Sequence, residues 1–305
     1  MRTADELLRA LRFLLCELIL IAGLRAETLT LATYNVENYD AADRMTEAGY
    51  RKDYPKPEAE KRALRAVIRG LDADVLALQE MGTAAYLDEL RRDLKTEGLD
   101  YPHAVLLEAD DADRHVALLS KRPFVSVTRH TTLEFSYFDA KEKVKRGLLE
   151  VRFATAAGEL TVFALHLKSR FTDRPDDPRS ALRRVGEAVA VRDAVLLRFP
   201  NPSAARFVIL GDFNDDKSSK AVQRILRRGE TMVGELLPVA DSRGETWTHA
   251  YRKEDSYSRV DHILVSPALR ASVRGGAAQI YDGDCVLEAS DHRPVKATLE
   301  FSAGK

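Results

Sequence analysis

The sequence predicts an α/β chain, and three observations support that class. Short apolar runs that read as strands recur along the chain. Several are apolar at every residue, as in FVIL at 207–210 just before Gly211, which is the pattern of a strand buried on both faces. Between them lie longer segments with apolar residues at helical spacing. Composition agrees. Of 305 residues, 45% are hydrophobic and 31% charged, enough apolar content for a large core and too much for a disordered chain. No Ser/Gly-rich linker or short-period repeat divides the sequence, so one domain is expected over 27–302.

Strands are expected at 29–33, 75–78, 115–119, 124–128, 148–153, 160–167, 207–210, 260–265 and 294–299. A helix is expected at 58–69, where Ala63 and Val67, and Leu64 and Ile68, fall at helical spacing. A second is expected at 84–95, with Thr83 placed to cap it. The longest is expected at 179–199, carrying Leu182, Val185, Val189 and Leu196 on one side, with Arg183 and Arg184 on a solvated face. Ahead of these elements, Arg2, Arg9 and Arg12 precede an apolar run at 13–24, and Ala26 follows it. That order predicts an export signal over 1–26 and a periplasmic or secreted protein. Glu17 interrupts the run, which leaves an amphipathic helix as the alternative. No run reaches the roughly 20 apolar residues needed to span a bilayer, so no stable membrane anchor is expected. The chain is expected to be a monomer.

Charge and cysteine content narrow the function classes. There are 47 Lys+Arg against 48 Asp+Glu, a formal net charge of −1. A basic nucleic-acid coat is excluded, so a polyanion would have to be handled through a local site. The two cysteines exclude a disulfide framework and a cysteine-rich zinc module.

Polar residues gather where strands end. Asn35 follows the first strand, Gln79 and Glu80 the second, and His166 and Lys168 the TVFAL run. Asp212 and Asn214 follow FVIL, Asp261 opens ILVS, and Asp291 and His292 precede the last strand. Strand ends are where a rigid backbone positions reactive side chains. Taken singly, each has a plainer reading: a turn residue, a solvated charge, a satisfied core histidine. GDFNDD also invites a calcium-loop reading, but Lys217 stands where that loop needs Gly and Gln223 where it needs Glu.

The order Asn, Gln-Glu, His-Leu-Lys, Gly-Asp-x-Asn, Asp-His, Ser-Asp-His resembles the endonuclease/exonuclease/phosphatase superfamily, the deoxyribonuclease-I-like fold. GDFND and SDHRPV are its most specific pieces. The Tyr-Asn-Val-Glu-Asn start at 34–38, His-Leu-Lys-Ser at 166–169 and Thr-Trp-Thr-His at 246–249 are most similar to the bacterial extracellular nucleases. The resemblance implies a four-layer α/β/β/α sandwich, two mixed sheets face to face with helices outside. It implies a metal-dependent phosphoesterase, with nucleic acid as the expected substrate. The alternative is a lipid or inositol-phosphate phosphoesterase of the sphingomyelinase type. An inactive binding scaffold is disfavoured because every expected polar position is filled.

Phosphodiester hydrolysis needs charge neutralised, a water positioned and a leaving oxygen protonated. Oxygen ligands without thiolates suit Mg2+, with Mn2+ or Ca2+ as alternatives. Glu80 is the first expected ligand, Asn35 supports it, and Asp291 is assigned to a second or alternating metal. Asp261 and His292 form a carboxylate–imidazole pair, with His292 expected as base and His166 as acid. By resemblance, Asp212 and Asn214 orient the water and stabilise the transition state. Lys168 and Arg146 are expected to contact phosphate, and Asp113 to orient His166. A membrane-acting member needs an exposed apolar hairpin. The candidate is 133–138, with Phe135, Tyr137 and Phe138, although a strand edge with a solvated hairpin is the preferred reading.

Overall fold

The computed structural model describes residues 27–46, 48–172 and 174–301. The export-signal expectation over 1–26 lies outside the described residues. Thirteen strands build two main sheets: β1 (Glu27–Tyr39), β2 (Val75–Met81), β3 (His103–Leu107), β4 (His115–Ser120), β5 (Ser126–His130), β6 (Leu148–Thr155), β7 (Gly158–His166), β8 (Phe207–Asp212), β9 (Glu235–Leu236), β10 (Val239–Ala240), β11 (Asp261–Val265), β12 (Ala278–Ile280) and β13 (Val295–Phe301). The first sheet has seven strands in the order β10-β12-β13-β1-β2-β4-β3, and the second has six in the order β9-β11-β8-β7-β6-β5. Both are mixed. β1 runs parallel to β2 and antiparallel to β13, while β7 runs parallel to β8 and antiparallel to β6.

Strand alternation builds the layers. Leu31 and Ala77 of the first sheet and Leu149, Val162, Leu210 and Ile263 of the second belong to one buried cluster between the sheets. Their neighbours Ala32, Leu76 and Leu78 face the other way, onto the helices α1 (Glu58–Leu71) and α2 (Ala84–Thr96). On the far side, Phe163, Leu165, Phe207 and Ile209 pack with Ala188, Val191 and Val195 of α3 (Ala181–Arg198). The chain is therefore a four-layer α/β/β/α sandwich. Two-sided burial explains why FVIL is apolar at every position.

All nine expected strands and all three helices form, with shifted ends. Four further strands, β3, β9, β10 and β12, complete the sheets. Thr83 sits at the N-cap of α2, but its side chain makes no capping hydrogen bond. Among the described residues, four hairpins stand apart from the sheets: Ala41–Thr46 with Gly49–Pro55, Glu134–Tyr137 with Ala140–Lys143, Arg227–Arg228 with Thr231–Met232, and His249–Tyr251 with Ser256–Ser258. The second contains the segment weighed as a membrane contact. Phe135 and Tyr137 are buried there in the α3 core cluster, and the Arg174 guanidinium lies 4.3 Å over the ring of Phe138. The segment is a hairpin with one face in solvent, as preferred from the sequence, but Phe135 and Tyr137 on its other face belong to the core, and only Phe138 of the three aromatics is exposed.

Candidate active site

The inner faces of both sheets turn from apolar to polar at their last rung. The parallel β7–β8 pairing sets His166 opposite Asp212, and the antiparallel β8–β11 pairing sets Asp212 opposite Asp261. Each continues an inward series: Val162, Ala164, His166; Val208, Leu210, Asp212; Val265, Ile263, Asp261. The backbone at Gly211 lets the strands approach closely. A Cβ there would stand 2.0 Å from the Leu165 carbonyl oxygen, and its φ is +146°. From the first sheet, Leu29 and Leu31 lead to Asn35 on the same face of β1. Its Nδ2 donates to Asp212 Oδ2 at 3.1 Å and ties the two sheets together at the site.

Glu80 reaches this rung by a break in the alternation. The β2 registers slip between Asn35 and Tyr39 of β1 and between Leu78 and Met81, and Glu80 adopts φ +60°. A left-handed non-glycine residue costs about 1–2 kcal/mol, and the bulge re-aims the side chain. Glu80 Oε1 lies 4.0 Å from His166 Nε2, and Oε2 accepts the Asn38 N–H at 3.1 Å.

Asn214 donates its backbone N–H to Asp212 Oδ1 at 2.7 Å, and its Nδ2 reaches Asp212 Oδ2 at 3.2 Å and the Leu167 carbonyl at 2.9 Å. His292 Nδ1 bonds Asp261 Oδ2 at 2.8 Å. Its Nε2 faces Asp212 Oδ2 at 4.0 Å and Asp291 Oδ1 at 3.9 Å. The Asp291 N–H is held by Glu37 Oε2 at 3.0 Å.

Burial sets the charge states. Burial, and then the negative charge of Asp261, push the Asp212 carboxyl up to about 7. Burial, and then the Arg146 guanidinium, hold His166 well below the ordinary histidine value, so it is neutral. Burial alone lowers His292, but the Asp261 carboxylate, by charge and hydrogen bond, with Asp291 and Asp212, raises it well above that value. Burial thus favours the neutral form of His166, and the surrounding carboxylates favour the charged form of His292. The division expected from the sequence has His292 as base and His166 as acid, and the directions of these two shifts favour the other assignment. Both ring nitrogens of His166 and Asp261 Oδ1 are buried without a hydrogen-bond partner.

Other expected residues fall less simply. Asp113 is not within ion-pair distance of His166; the carboxylates that are, among the described residues, belong to Glu80 and Asp212. The carboxylate that turns inward from that loop is Asp111, which takes the Arg146 Nε–H at 2.7 Å and the Asp113 N–H at 3.3 Å. Arg146 is buried and also donates to the Leu167 carbonyl at 3.2 Å. Lys168 Nζ donates to the Phe171 carbonyl at 2.6 Å, and burial followed by the Arg146 charge lowers it to about 8. Arg184, expected in solvent, is buried and bonds Asp215 Oδ2 at 3.0 Å. Two residues escaped the sequence reading of roles. Glu187, buried on α3, accepts the Lys168 N–H at 2.7 Å and so pins the loop after β7. His249 lies beside His292, with ring centroids 4.6 Å apart and the rings tilted by 41°. The Thr-Trp-Thr-His motif carried the signal for His249, whereas nothing marks Glu187 on its helix.

The Endonuclease/Exonuclease/phosphatase family profile matches residues 32–292. This chain belongs to that family. Members of the family are divalent-metal-dependent hydrolases of phosphoester bonds. Among curated proteins no sequence matches. Solved structures share the fold. A beta toxin from Staphylococcus aureus is 18% identical, with TM-score 0.62 over 88% of this chain and 99% of that one. A mutant of that toxin, determined with bound magnesium ions, gives TM-score 0.61 at 18% identity over 89% and 99%. Sphingomyelinase C from Streptomyces griseocarneus gives TM-score 0.57 at 18% identity over 90% and 99%. The donor set here fits the family's metal. Glu80 Oε1 lies 4.0 Å from His166 Nε2 and accepts no hydrogen bond among the described residues, and the polar rung it faces, where Asn35 bonds Asp212, carries carboxylates and no thiolate.

Proposed function

We propose that this chain is a divalent-metal-dependent phosphodiesterase, exported from the cytoplasm, that cleaves nucleic acid. The observation that carries the reading is the polar rung His166–Asp212–Asp261 closing the inter-sheet core, with His292 bonded to it and Asn35 and Glu80 facing it from the other sheet. Glu80 and Asn35 would hold Mg2+ (or Mn2+ or Ca2+), which when bound supplies positive charge against the phosphate.

The chain's own groups do the rest. Asp212, with a carboxyl near 7, is poised to take the proton of an attacking water. Asn214 and Asn35 fix its orientation. His292, charged and aligned by Asp261, donates from Nε2 to a phosphate oxygen. Neutral His166 offers one buried donor to the substrate, which explains its unpartnered ring nitrogens.

Two hairpins rooted at the site support a nucleic-acid substrate. The first begins beside Asp40, whose carbonyl takes the Lys56 N–H at 3.1 Å, and exposes Tyr50 and Tyr54 near Arg44, Arg51 and Lys52, together with Asp43, which accepts the Tyr50 hydroxyl, and Asp53. The second begins at His249 and exposes Tyr251 and Tyr257, with Arg252, Lys253, Glu254 and Asp255 at its tip. Exposed tyrosines beside arginines and lysines suit base stacking and phosphate contact, while tips of mixed charge do not suit insertion into lipid. Export rests on the basic and apolar order of residues 1–26.

The test is a substrate panel with purified protein and Mg2+: plasmid DNA, RNA, sphingomyelin vesicles and inositol phosphates. The reading expects turnover of DNA or RNA to exceed the others. Preferential hydrolysis of sphingomyelin or inositol phosphates would replace it with the lipid or inositol-phosphate reading.

A further inference from the structure

We propose that Arg114 is a substrate-binding residue of the site, and that its guanidinium contacts a non-bridging oxygen of the scissile phosphate. This role rests on the proposed phosphodiesterase activity and adds a cation that none of the sequence motifs marks. Leu118 and Val116 of β4 face the core between the sheets, while Leu119 and Ala117 face the helices. Arg114 stands one residue ahead of β4 and takes the next inward position, as His166, Asp212 and Asp261 do at the ends of their strands. β4 is also the neighbour of β2, which carries Glu80. His115 pairs with Met81, so Arg114 and Glu80 each lie one residue from the same rung.

The positive charge of Arg114 is felt on both sheets, as a side chain in the cleft requires. Burial, and then the charges of Arg146, His292 and Arg114, lower His166 on the second sheet. Burial raises Asp40, just past β1 of the first sheet, to about 6 against the charges of Arg44 and Arg114. The backbone at Arg114 is fixed. Asp111 Oδ1 accepts the Asp113 and Arg114 N–H groups, each at 3.3 Å, and Asp111 Oδ2 accepts the Arg146 Nε–H at 2.7 Å. The two cations expected at the phosphate already hold partners within the chain. Arg146 also gives Nη1 to the Leu167 carbonyl at 3.2 Å, and Lys168 gives Nζ to the Ser169 and Phe171 carbonyls at 3.3 and 2.6 Å. Arg114 is half-buried, and its guanidinium has no hydrogen-bond or ion-pair partner among the described residues. A guanidinium presents parallel N–H donors that match phosphate oxygens. At this position it would meet the negative charge that grows on those oxygens in the transition state.

The test compares wild type, Arg114→Ala, Arg114→Gln and Arg114→Lys, with a thermal melt of each to establish folding; should Arg114→Ala not fold, the other two carry the comparison. Hydrolysis of bis(p-nitrophenyl) phosphate in Mg2+ reads a phosphodiester without a nucleobase, so it stands whichever natural substrate is cleaved. The expected result is a fall in kcat/KM of about 100-fold in Arg114→Ala and Arg114→Gln, the scale for removing one transition-state donor, at the Mg2+ midpoint of wild type. Arg114→Lys should keep part of the rate. Guanidinium, added below concentrations that unfold the protein, should restore part of it to Arg114→Ala and leave wild type unchanged. Binding is measured separately, by titrating inorganic phosphate in Mg2+ with calorimetry, and affinity should fall about tenfold in Arg114→Gln. Wild-type kcat/KM or wild-type phosphate affinity in folded Arg114→Gln would overturn the assignment. A loss of rate that neither Arg114→Lys nor guanidinium repairs would also overturn it, by making Arg114 a support of its loop. Phosphate binding that depends on Arg114 in a protein that does not hydrolyse the diester would overturn the phosphodiesterase activity and leave the anion contact standing.

Discussion

At the scale of single residues, Asp212 does most to set the chemistry. It is buried between Asp261, Asn35 and Asn214, and its carboxyl sits near 7 because burial and the Asp261 charge both disfavour ionisation. A carboxylate that must be ionised to accept a proton loses activity as it gains one. The kcat/KM profile should therefore fall as pH drops through about 7. On the alkaline side, Lys168 loses its charge near pH 8, and KM should rise there if it holds substrate. Lys168→Arg should remove that alkaline limb and leave the acid limb in place. Asp212→Asn should cut kcat by about 100- to 10,000-fold, the range for a positioned acid–base group, with a smaller change in KM. Steady-state kinetics across pH on the three proteins checks all of this.

The identity of these residues was legible in the sequence because each sits at one end of an apolar strand. Their charge states were not, because they depend on which carboxylates meet across strands. Asp113 shows the limit. Asp110, Asp111 and Asp113 share one short loop, and only the position of Arg146 decides that Asp111 turns inward.

Among the elements, the hairpin over α3 is the informative one. Gly186 on that helix lies so close to the Phe135 ring that a Cβ there would stand 2.1 Å from it. Phe135 is thus a core residue that glycine makes room for. Phe135→Ala should cost about 3–5 kcal/mol by denaturant unfolding, while hydrolysis per folded molecule and binding to lipid vesicles stay as in wild type. Loss of vesicle binding in the variant would return this hairpin to a membrane role. The strands of the two sheets were readable because they are buried on one or both faces. The hairpin Ala41–Pro55 was not, because none of its described residues is buried and its apolar residues do not alternate with polar ones. The short strands β9 and β10 have two residues each, too few for any period to register.

For the whole molecule, the near-neutral charge means that substrate capture depends on the site and the hairpins beside it rather than on a basic surface. Stability near the site has its own electrostatic component. Burial alone would raise Asp241, but hydrogen bonds from Arg293, the Glu245 and Arg243 N–H groups and the Arg243 side chain hold it well below the usual carboxylate range. Because the folded value is depressed, this contribution is complete above about pH 4 and is lost as pH falls toward the folded value. Asp241→Asn should therefore melt below wild type at pH 7, with the gap narrowing progressively in acid.

The central claim is that hydrolysis depends on a divalent cation at the mouth of the two-sheet core. It is tested most directly by following hydrolysis of a simple phosphodiester after EDTA dialysis and again after adding Mg2+, in wild type and Glu80→Gln. The account predicts that EDTA abolishes turnover, that Mg2+ restores it in wild type, and that Glu80→Gln needs far more Mg2+ for any recovery. Turnover that survives EDTA, or a Glu80→Gln variant with the Mg2+ dependence of wild type, would contradict it.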